Sequence, residues 1–323
     1  MRLVMMGTGT FAEPTFEALL SGPHPVVGLV TQPDRVAGQE RGSTRQTGKG
    51  MKAIAQEKGI PVLQPESINT PDGVAKLKEW QAELLVVAAY GQILSKEVLE
   101  AVPHGGINVH ASLLPKYRGA APVAWAIYHG ETRTGVTIIR MTTGLDAGDM
   151  LEQQAIAIHP DETAGELEAR LAPIGAQLAL NVVKQLARGT VQGVKQDKSQ
   201  VTKAPKLKKE DGRIDWDRDN VPNKVRAMQP WPTAYAFFHH EGKPPVRVIL
   251  TRAKLVDIWE DEIPGPGTIE VVPGSPARLC VWANTSRVEI LELQPAGKKR
   301  MSAAEFLRGH PIQPGDHFGP ESE

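Results

Sequence analysis

The sequence has little of what marks several protein classes. Among its 323 residues there is one cysteine, Cys280, so no disulfide can form within the chain, and a lone thiol is typical of a reducing compartment. Its longest apolar run, Leu84–Tyr90, is far shorter than the roughly 20 residues of a membrane-spanning helix. Met1–Met6 lacks the longer apolar stretch and the cleavage site of a secretion signal. We therefore expect a cytoplasmic protein without a membrane partner.

An excess of charge of one sign is also missing, since 37 basic residues face 37 acidic ones. The net charge of zero gives no overall field that predicts a nucleic-acid partner. The distribution is uneven, however. Residues 184–209 hold eight basic residues and one acid, a net charge of +7, and residues 35–52 hold five basic residues and one acid, a net charge of +4. Each segment alone is usually a solvated face, but two of them on one chain favour RNA binding.

The hydrophobic pattern predicts two domains with a basic linker between them. Up to Gly189, short apolar strands alternate with amphipathic helices, which is typical of a mostly parallel, Rossmann-like α/β sheet. Apolar residues at helical spacing predict a long helix from Thr163 to Leu186, which Gly189 ends. After the linker, short strands separated by proline and glycine turns predict a small β-barrel or sandwich, and residues from about Gly309 are expected to be weakly ordered. The predicted boundaries are 1–189, 190–209 and 210–323.

A glycine turn at Gly7–Ala12 fits the G-x-G-x-x-A variant of the dinucleotide-binding fingerprint. The acid expected at the end of the second strand is absent, because Val30 is followed by Thr-Gln-Pro. A nicotinamide oxidoreductase needs that acid for the ribose. The residues therefore favour a structural turn over a nucleotide site.

The most informative segment runs from Gly106 to Gly119. Asn108 and His110 are two residues apart on a predicted strand, so they share one face at its carboxyl end, where open α/β sheets bind ligands. Asp146 lies between two glycines in a later loop and is placed to approach His110. An amide, an imidazole and a carboxylate suit acyl transfer without a covalent enzyme intermediate. The alternative, in which Asn108 caps a turn, His110 is a core histidine and Asp146 holds its own loop, stays open on spacing alone.

These residues resemble a known family. The run Asn-Val-His-Ala-Ser-Leu-Leu-Pro-Lys-Tyr-Arg-Gly-Ala-Ala-Pro at 108–122 and Gly-Leu-Asp-Ala-Gly-Asp at 144–149 are similar to the signature of the folate-dependent formyltransferases. The opening Met-Met-Gly-Thr-Gly-Thr-Phe-Ala at 5–12 and the segments 204–216 and 225–235 agree with it. The similarity spans nearly the whole chain.

The resemblance implies transfer of a formyl group from N10-formyltetrahydrofolate to the α-amino group of methionine on initiator tRNA. It implies that Asn108, His110 and Asp146 are catalytic, that the glycine turn binds no cofactor, and that the C-terminal domain is an OB-like β-barrel that binds tRNA. The implied folate contacts are Ser112, Leu113, Leu114, Pro115, Tyr90, Gly91 and Gln92. The candidate tRNA contacts are Arg41, Arg45, Lys206, Lys208 and Lys209. We expect the enzyme to be a monomer and to need no metal, because no H-x-x-x-H or C-x-x-C motif occurs.

The chain departs from the family in its first basic loop. The usual Gly-Arg-Gly-(Arg/Lys)-Lys run is replaced by Gly-Gln-Glu-Arg-Gly-Ser-Thr-Arg-Gln-Thr-Gly at 38–48, which leaves Arg41 as the nearest positional equivalent of the tRNA-contacting arginine. Two other functions remain open. One is formylation of a small amine such as an amino sugar nucleotide, by an enzyme that shares the same three catalytic residues. The other is a noncatalytic RNA-binding module, which leaves those three residues without a role.

Overall fold

The structure is a computed structural model that describes residues 1–34, 50–256, 264–284 and 286–322. The chain divides into two compact units. The first unit comprises residues 1–126, 132–159 and 165–206, and the second comprises residues 127–131, 160–164 and 207–323. Residues 190–206, most of the segment expected to be a linker, thus group with the first unit.

The described residues of the first unit contain the strands β1 (Leu3–Gly7), β2 (Val26–Val30), β3 (Val62–Leu63), β4 (Leu84–Ala88), β5 (Gly106–His110), β6 (Arg118–Gly119), β7 (Arg133–Arg140), β8 (Met150–Ala157) and β9 (Lys203–Ala204). Seven of them form one sheet in the order β3-β2-β1-β4-β5-β7-β8. The first five strands in this order, β3, β2, β1, β4 and β5, pair in parallel. The last two, β7 and β8, pair antiparallel. β1 and β4 are buried along their whole length, which explains their continuous apolar sequences. The predicted mostly parallel sheet is confirmed.

The helices that cover this sheet are α1 (Glu13–Leu20), α2 (Met51–Glu57), α3 (Pro71–Glu79), α4 (Lys96–Glu100) and α6 (Ala164–Arg188), and α5 (Pro122–Tyr128) begins in the same unit. Local chemistry sets their ends. The Thr70 hydroxyl accepts a hydrogen bond from Gly73 N at the start of α3, and Ser95 does the same for Val98 N in α4. α6 matches the helix predicted over Thr163 to Leu186, and Gly189 ends it with a φ of 67°. None of the helices in the described residues is long and apolar enough to cross a membrane.

The second unit contains the strands β10 (Ala234–His239), β11 (Val246–Val256), β12 (Ile269–Val272), β13 (Arg278–Ala283), β14 (Ser286–Pro295), β15 (Met301–Ser302) and β16 (His317–Gly319), with the helices α7 (Val221–Ala227) and α8 (Ala303–Gly309). The antiparallel sheet runs in the order β12-β13-β14-β11-β10-β16. Its two ends meet, because Thr268 bridges to His317 and Phe318 N donates to Gly267 O at 2.9 Å. The sheet therefore curls into the predicted OB-like barrel.

The expectation of weak order after Gly309 is wrong. β16 pairs with β10, and Phe318 is only 1% exposed, with its ring near those of Trp216 and Phe238. The strand is three residues long and lies between proline and glycine residues. Its order comes from pairing with a strand about 80 residues earlier in the chain, which no local pattern reveals.

Candidate active site

Strand β5 holds two of the candidate catalytic residues. It pairs with β4 in parallel, where Val87 faces Asn108, and with β7 in antiparallel, where His110 faces Thr137. His110 is 4% exposed and Asn108 is half-buried. Both side chains reach the same carboxylate, so they share a face as the two-residue spacing predicts.

That carboxylate belongs to Asp146, in the loop between β7 and β8. Asn108 Nδ2 donates to Asp146 Oδ1 at 3.3 Å, and Asp146 Oδ2 lies 3.6 Å from His110 Nδ1. Gly119 N also donates to Oδ2, at 2.9 Å. The side chains of His110 and Asp146 are 5% and 11% exposed, so their electrostatic interaction is little screened by water. The structure thus brings the amide, the imidazole and the carboxylate together.

The orientation of the His110 ring follows from its other nitrogen. Nε2 lies 2.9 Å from the carbonyl oxygen of Tyr117. Because a carbonyl only accepts hydrogen bonds, Nε2 carries a proton, and the ring presents Nδ1 to Asp146. Tyr117 reaches this position with a φ of 62°, in the left-handed region. Its contribution is a backbone atom, which explains why residue types alone did not reveal it.

Tight packing fixes the loop that carries Asp146. A Cβ atom on Gly148 would lie 1.7 Å from the backbone oxygen of Arg140, so this position accepts only glycine without a shift of the backbone. Asp146 itself has a φ of 46°, a conformation that is costly for a residue with a side chain. The two glycines on either side of Asp146 differ in the space around them. A Cβ on Gly144 would meet nothing closer than 3.1 Å.

The segment Ser112–Pro115 follows His110 directly. Ser112 is fully buried, and its Oγ donates to Lys116 O at 2.7 Å. Leu114 is also buried, and its N–H donates to Thr137 Oγ1. Leu113 and Pro115 are partly exposed. Of the four predicted folate contacts, Ser112 holds the loop through its side chain and Leu114 through its backbone N–H, whereas Leu113 and Pro115 offer apolar surface.

The loop after β4 contains Tyr90, Gly91 and Gln92. Tyr90 is 2% exposed and packs in the hydrophobic core, and burial raises the pKa of its hydroxyl to about 12. The Gln92 amide accepts from Ile68 N and donates to the backbone oxygen of Glu66, each at 3.0 Å. Both side chains are therefore directed into the protein. Gly91 between them is exposed and offers its backbone to a ligand.

The candidate tRNA residues have different outcomes. Lys206, Lys208 and Lys209 are all exposed, as phosphate contacts need to be. Arg41 and Arg45 lie outside the described residues.

The glycine turn is a close-packed element, because a Cβ on Gly7 would lie 2.7 Å from Ala88 O. In the described residues no group of three or more His, Cys, Asp or Glu side chains is arranged to hold a metal ion.

Sequence reasoning missed a segment that contacts both site loops. We call residues 194–204 the strap. It pairs with Met150 through Val194, and β9 within it pairs in parallel with β6. Gln196 and Thr202 hydrogen-bond with the loops of Asp146 and Tyr117. The sequence signal here was a run of positive charge, which gives no indication of these polar contacts.

Similarity to known proteins extends over the whole chain. Residues 1–183 match the family described as formyl transferase, and residues 206–311 match the formyl transferase C-terminal domain. A methionyl-tRNA formyltransferase of Geobacter sulfurreducens is 42% identical over 321 residues, covering 99% of this chain and 97% of that protein. One from Bacillus velezensis is 38% identical over 330 residues, covering 100% of this chain and 99% of that protein.

A solved structure shares the fold. The N-formyltransferase from Helicobacter canadensis, in complex with folinic acid and dTDP-3-aminofucose, has a TM-score of 0.64 and 17% sequence identity. The alignment covers 90% of this chain and 98% of that one. At this level of identity the likeness concerns the fold alone.

Proposed function

The chain belongs to the formyl transferase family, and we propose that it transfers the formyl group of N10-formyltetrahydrofolate to the α-amino group of methionine on initiator methionyl-tRNA, for translation initiation. The observation that carries the chemistry is the convergence of Asn108, His110 and Asp146 on one face of β5. The acceptor is supported by full-length relatives named methionyl-tRNA formyltransferase. The N-formyltransferase solved with an amino sugar nucleotide shares only the fold, so it does not favour that acceptor here.

The residues present fit a formyl donor. Asn108 has a second N–H besides the one given to Asp146, and an amide N–H is a suitable donor to an acyl oxygen. Leu113 and Pro115 offer partly exposed apolar surface directly after His110 in the chain, which suits a flat heterocycle. When bound, the folate supplies an activated formyl group. We propose that Ser112–Pro115 and the backbone of Tyr90, Gly91 and Gln92 hold it.

The three side chains have separate roles in this proposal. Attack by the methionine amine on the formyl carbon places negative charge on the formyl oxygen, and Asn108 with the protonated His110 ring stabilises that charge. Nε2 is held by the Tyr117 carbonyl, so in this proposal the N–H of Nδ1, which lies beside Asp146, is the one that also faces the reacting group. Asp146 stabilises the positive charge of the ring. It also assists transfer of the amine proton to the folate nitrogen, whose bond to the formyl carbon breaks.

The assignment of tRNA contacts rests on the charge and the exposure of basic side chains. We propose that residues 1–189 catalyse the reaction, that the C-terminal domain at 210–323 binds tRNA, and that residues 190–209 join the two. Lys206, Lys208 and Lys209 are exposed, and we assign them to tRNA phosphates. Arg41 and Arg45 are the proposed contacts from the basic loop. The proposal includes action as a monomer in the cytoplasm.

The test is a formyl-transfer assay with N10-formyltetrahydrofolate and three acceptors: charged initiator methionyl-tRNA, the same tRNA uncharged, and a dTDP-linked amino sugar. We expect product only with the charged tRNA. Formylation of the amino sugar with none of the tRNA would replace the proposed acceptor. Binding of tRNA without any transfer would indicate a noncatalytic RNA-binding protein.

A further inference from the structure

The strap holds both loops that shape the site. Thr202 Oγ1 accepts a hydrogen bond from Tyr117 N at 2.8 Å, and Thr202 O accepts one from Arg118 N at 2.9 Å. At its other end, Gln196 contacts the loop of Asp146. The partners of the strap are 48 to 85 residues away in the chain, so these contacts are tertiary.

Gln196 uses both ends of its amide. Nε2 donates to the backbone oxygens of Asp146 at 2.7 Å and Gly148 at 2.8 Å. Oε1 accepts from Arg118, at 3.0 Å from Nε and 2.7 Å from Nη2. This orientation is fixed by the partners, because carbonyl oxygens only accept and a guanidinium only donates. A half-buried side chain thus makes four hydrogen bonds in which each atom can play one role only.

The backbone that Gln196 holds is in the left-handed region, which aspartate adopts more readily than most residues but less readily than an ordinary helical or extended conformation. Asp146 has a φ of 46°, and side chains in the left-handed region persist where the surroundings determine them. The carbonyl of Asp146 is fixed from one side by Gln196, and its carboxylate is fixed from the other by Gly119 N. Without the hydrogen bond from Gln196, the Asp146 carbonyl would be free to rotate. Such a rotation would carry Oδ2 away from its position 3.6 Å from His110 Nδ1.

We propose that Gln196, oriented by Arg118, is a positioning residue that holds the Asp146 carboxylate beside His110 Nδ1. It contacts no reacting atom and acts through the backbone of Asp146. The inference rests on the proposed function for its kinetic consequence, since Asp146 is assigned there to sustaining the proton on His110. Its structural consequence, the placement of the carboxylate, does not depend on which acceptor is used.

The decisive substitution is Gln196→Glu. A glutamate has the same shape and keeps the acceptor for Arg118, but it places a carboxylate oxygen against the two carbonyl oxygens that the Nε2 group now holds. The matched control is Gln200→Glu, in the same strap. Gln200 is exposed and its amide donates to Asp197, at 3.1 Å, within the strap itself. Both variants add one negative charge at the same part of the chain, so any effect on tRNA attraction is shared.

For Gln196→Glu we expect kcat with methionyl-tRNA to fall about 10- to 100-fold relative to Gln200→Glu, as is common when a group that orients an active-site ligand is lost. The KM for tRNA should match that of the control. The pH profile of kcat should also move, because the carboxylate no longer lies beside Nδ1. Gln196→Met removes the same hydrogen bonds without adding a charge. It should lower kcat by a similar factor, and it takes the place of Gln196→Glu if the glutamate variant does not fold.

A second readout separates this inference from the proposed function. The ¹⁵N resonances of the His110 ring, identified by their absence from the His110→Ala spectrum, should move in Gln196→Glu and Gln196→Met and overlay with wild type in Gln200→Glu. Unmoved His110 resonances, or a kcat within about twofold of the control, would overturn the positioning role. An inactive wild-type enzyme with His110 resonances that respond as expected would instead overturn the proposed function and leave the positioning role supported.

Discussion

At the scale of single residues, His110 has the most constrained surroundings in the site. One ring nitrogen faces the Tyr117 carbonyl and the other faces the Asp146 carboxylate, and the side chains of His110 and Asp146 are both nearly buried. The proposed mechanism uses the ring with a proton on each nitrogen, since that form stabilises a developing oxyanion. The sequence predicted the partners Asn108 and Asp146 from their spacing and glycines. It could not predict the Tyr117 carbonyl, because any residue type supplies a backbone oxygen.

Replacement of His110 by alanine tests this role. We expect kcat to fall about 10²- to 10⁴-fold, the range typical of lost acid–base catalysis, while the Kd for tRNA stays within about twofold. The control is His104→Ala, an exposed histidine of the same unit. Steady-state kinetics and a tRNA-binding titration give the two quantities. Equal turnover of the two alanine variants would remove His110 from the mechanism.

Glu168 on α6 predicts a pH-dependent stability. The next residues on its side of the helix, Leu171 and Ala172, are buried, and burial raises the pKa of Glu168 from 4.5 to about 7. The folded chain therefore binds this proton more tightly than the unfolded chain does. The stabilisation from this tighter proton binding is present below about pH 4.5 and is lost as the pH rises to about 7. Above that range Glu168 is ionised in both states, and the full cost of burying its charge remains.

The variant Glu168→Gln is neutral at every pH and has nearly the same shape. We expect it to raise the free energy of unfolding at pH 8 by up to about 3 kcal/mol, and to have much less effect at pH 5. Denaturant unfolding at both pH values gives the comparison. Glu17→Gln, at an exposed position on α1, is the control for the loss of a carboxylate. A gain for Glu168→Gln that is the same at pH 5 and pH 8 would contradict the assignment.

At the scale of elements, the sequence predicted what is encoded locally. Strand β5 and helix α6 follow from short apolar runs, helical spacing and the terminating Gly189, and α6 lies within two residues of its predicted bounds. The strap was read only as a linker. Its contacts depend on where the chain passes in three dimensions, and a basic run carries no information about which amide meets which carbonyl. The same reason hid β16, which is ordered by its pairing with β10.

The loop from Thr142 to Asp149 predicts a difference between its two glycines. In Gly148→Ala the new Cβ would lie 1.7 Å from Arg140 O, so the loop must shift, and Asp146 shifts with it. We expect a loss of about 1–3 kcal/mol in stability and a fall in kcat, because strain and the displaced carboxylate come from the same movement. Gly144→Ala meets nothing closer than 3.1 Å and is the control. Thermal unfolding and turnover of the two variants should differ clearly, and equal values would show that the loop accommodates the methyl group.

At the scale of the whole molecule, the net charge of zero is a cancellation. Residues 1–183 have 15 basic and 19 acidic residues, a net charge of −4, and residues 210–323 have 14 and 17, a net charge of −3. The segment 184–209 between them carries +7. The net charge of the two mildly acidic segments disfavours RNA, whereas the basic segment between them in the sequence attracts it. The net charge of zero alone argues against an RNA partner, whereas the distribution of charge along the sequence favours one.

The basic segment predicts a salt dependence that can be assigned to particular side chains. In a variant with Lys206, Lys208 and Lys209 all replaced by glutamine, tRNA binding should weaken, and the slope of log K against log salt should become less steep by about 2, since each lost phosphate contact contributes about 0.7–0.9. The value of kcat at saturating tRNA should stay near that of wild type, because none of the three contacts the catalytic residues. The matched control replaces Lys58, Lys78 and Lys96, three exposed lysines elsewhere, and so changes the net charge equally. Equal slopes for the two variants would mean that tRNA responds to net charge rather than to this segment.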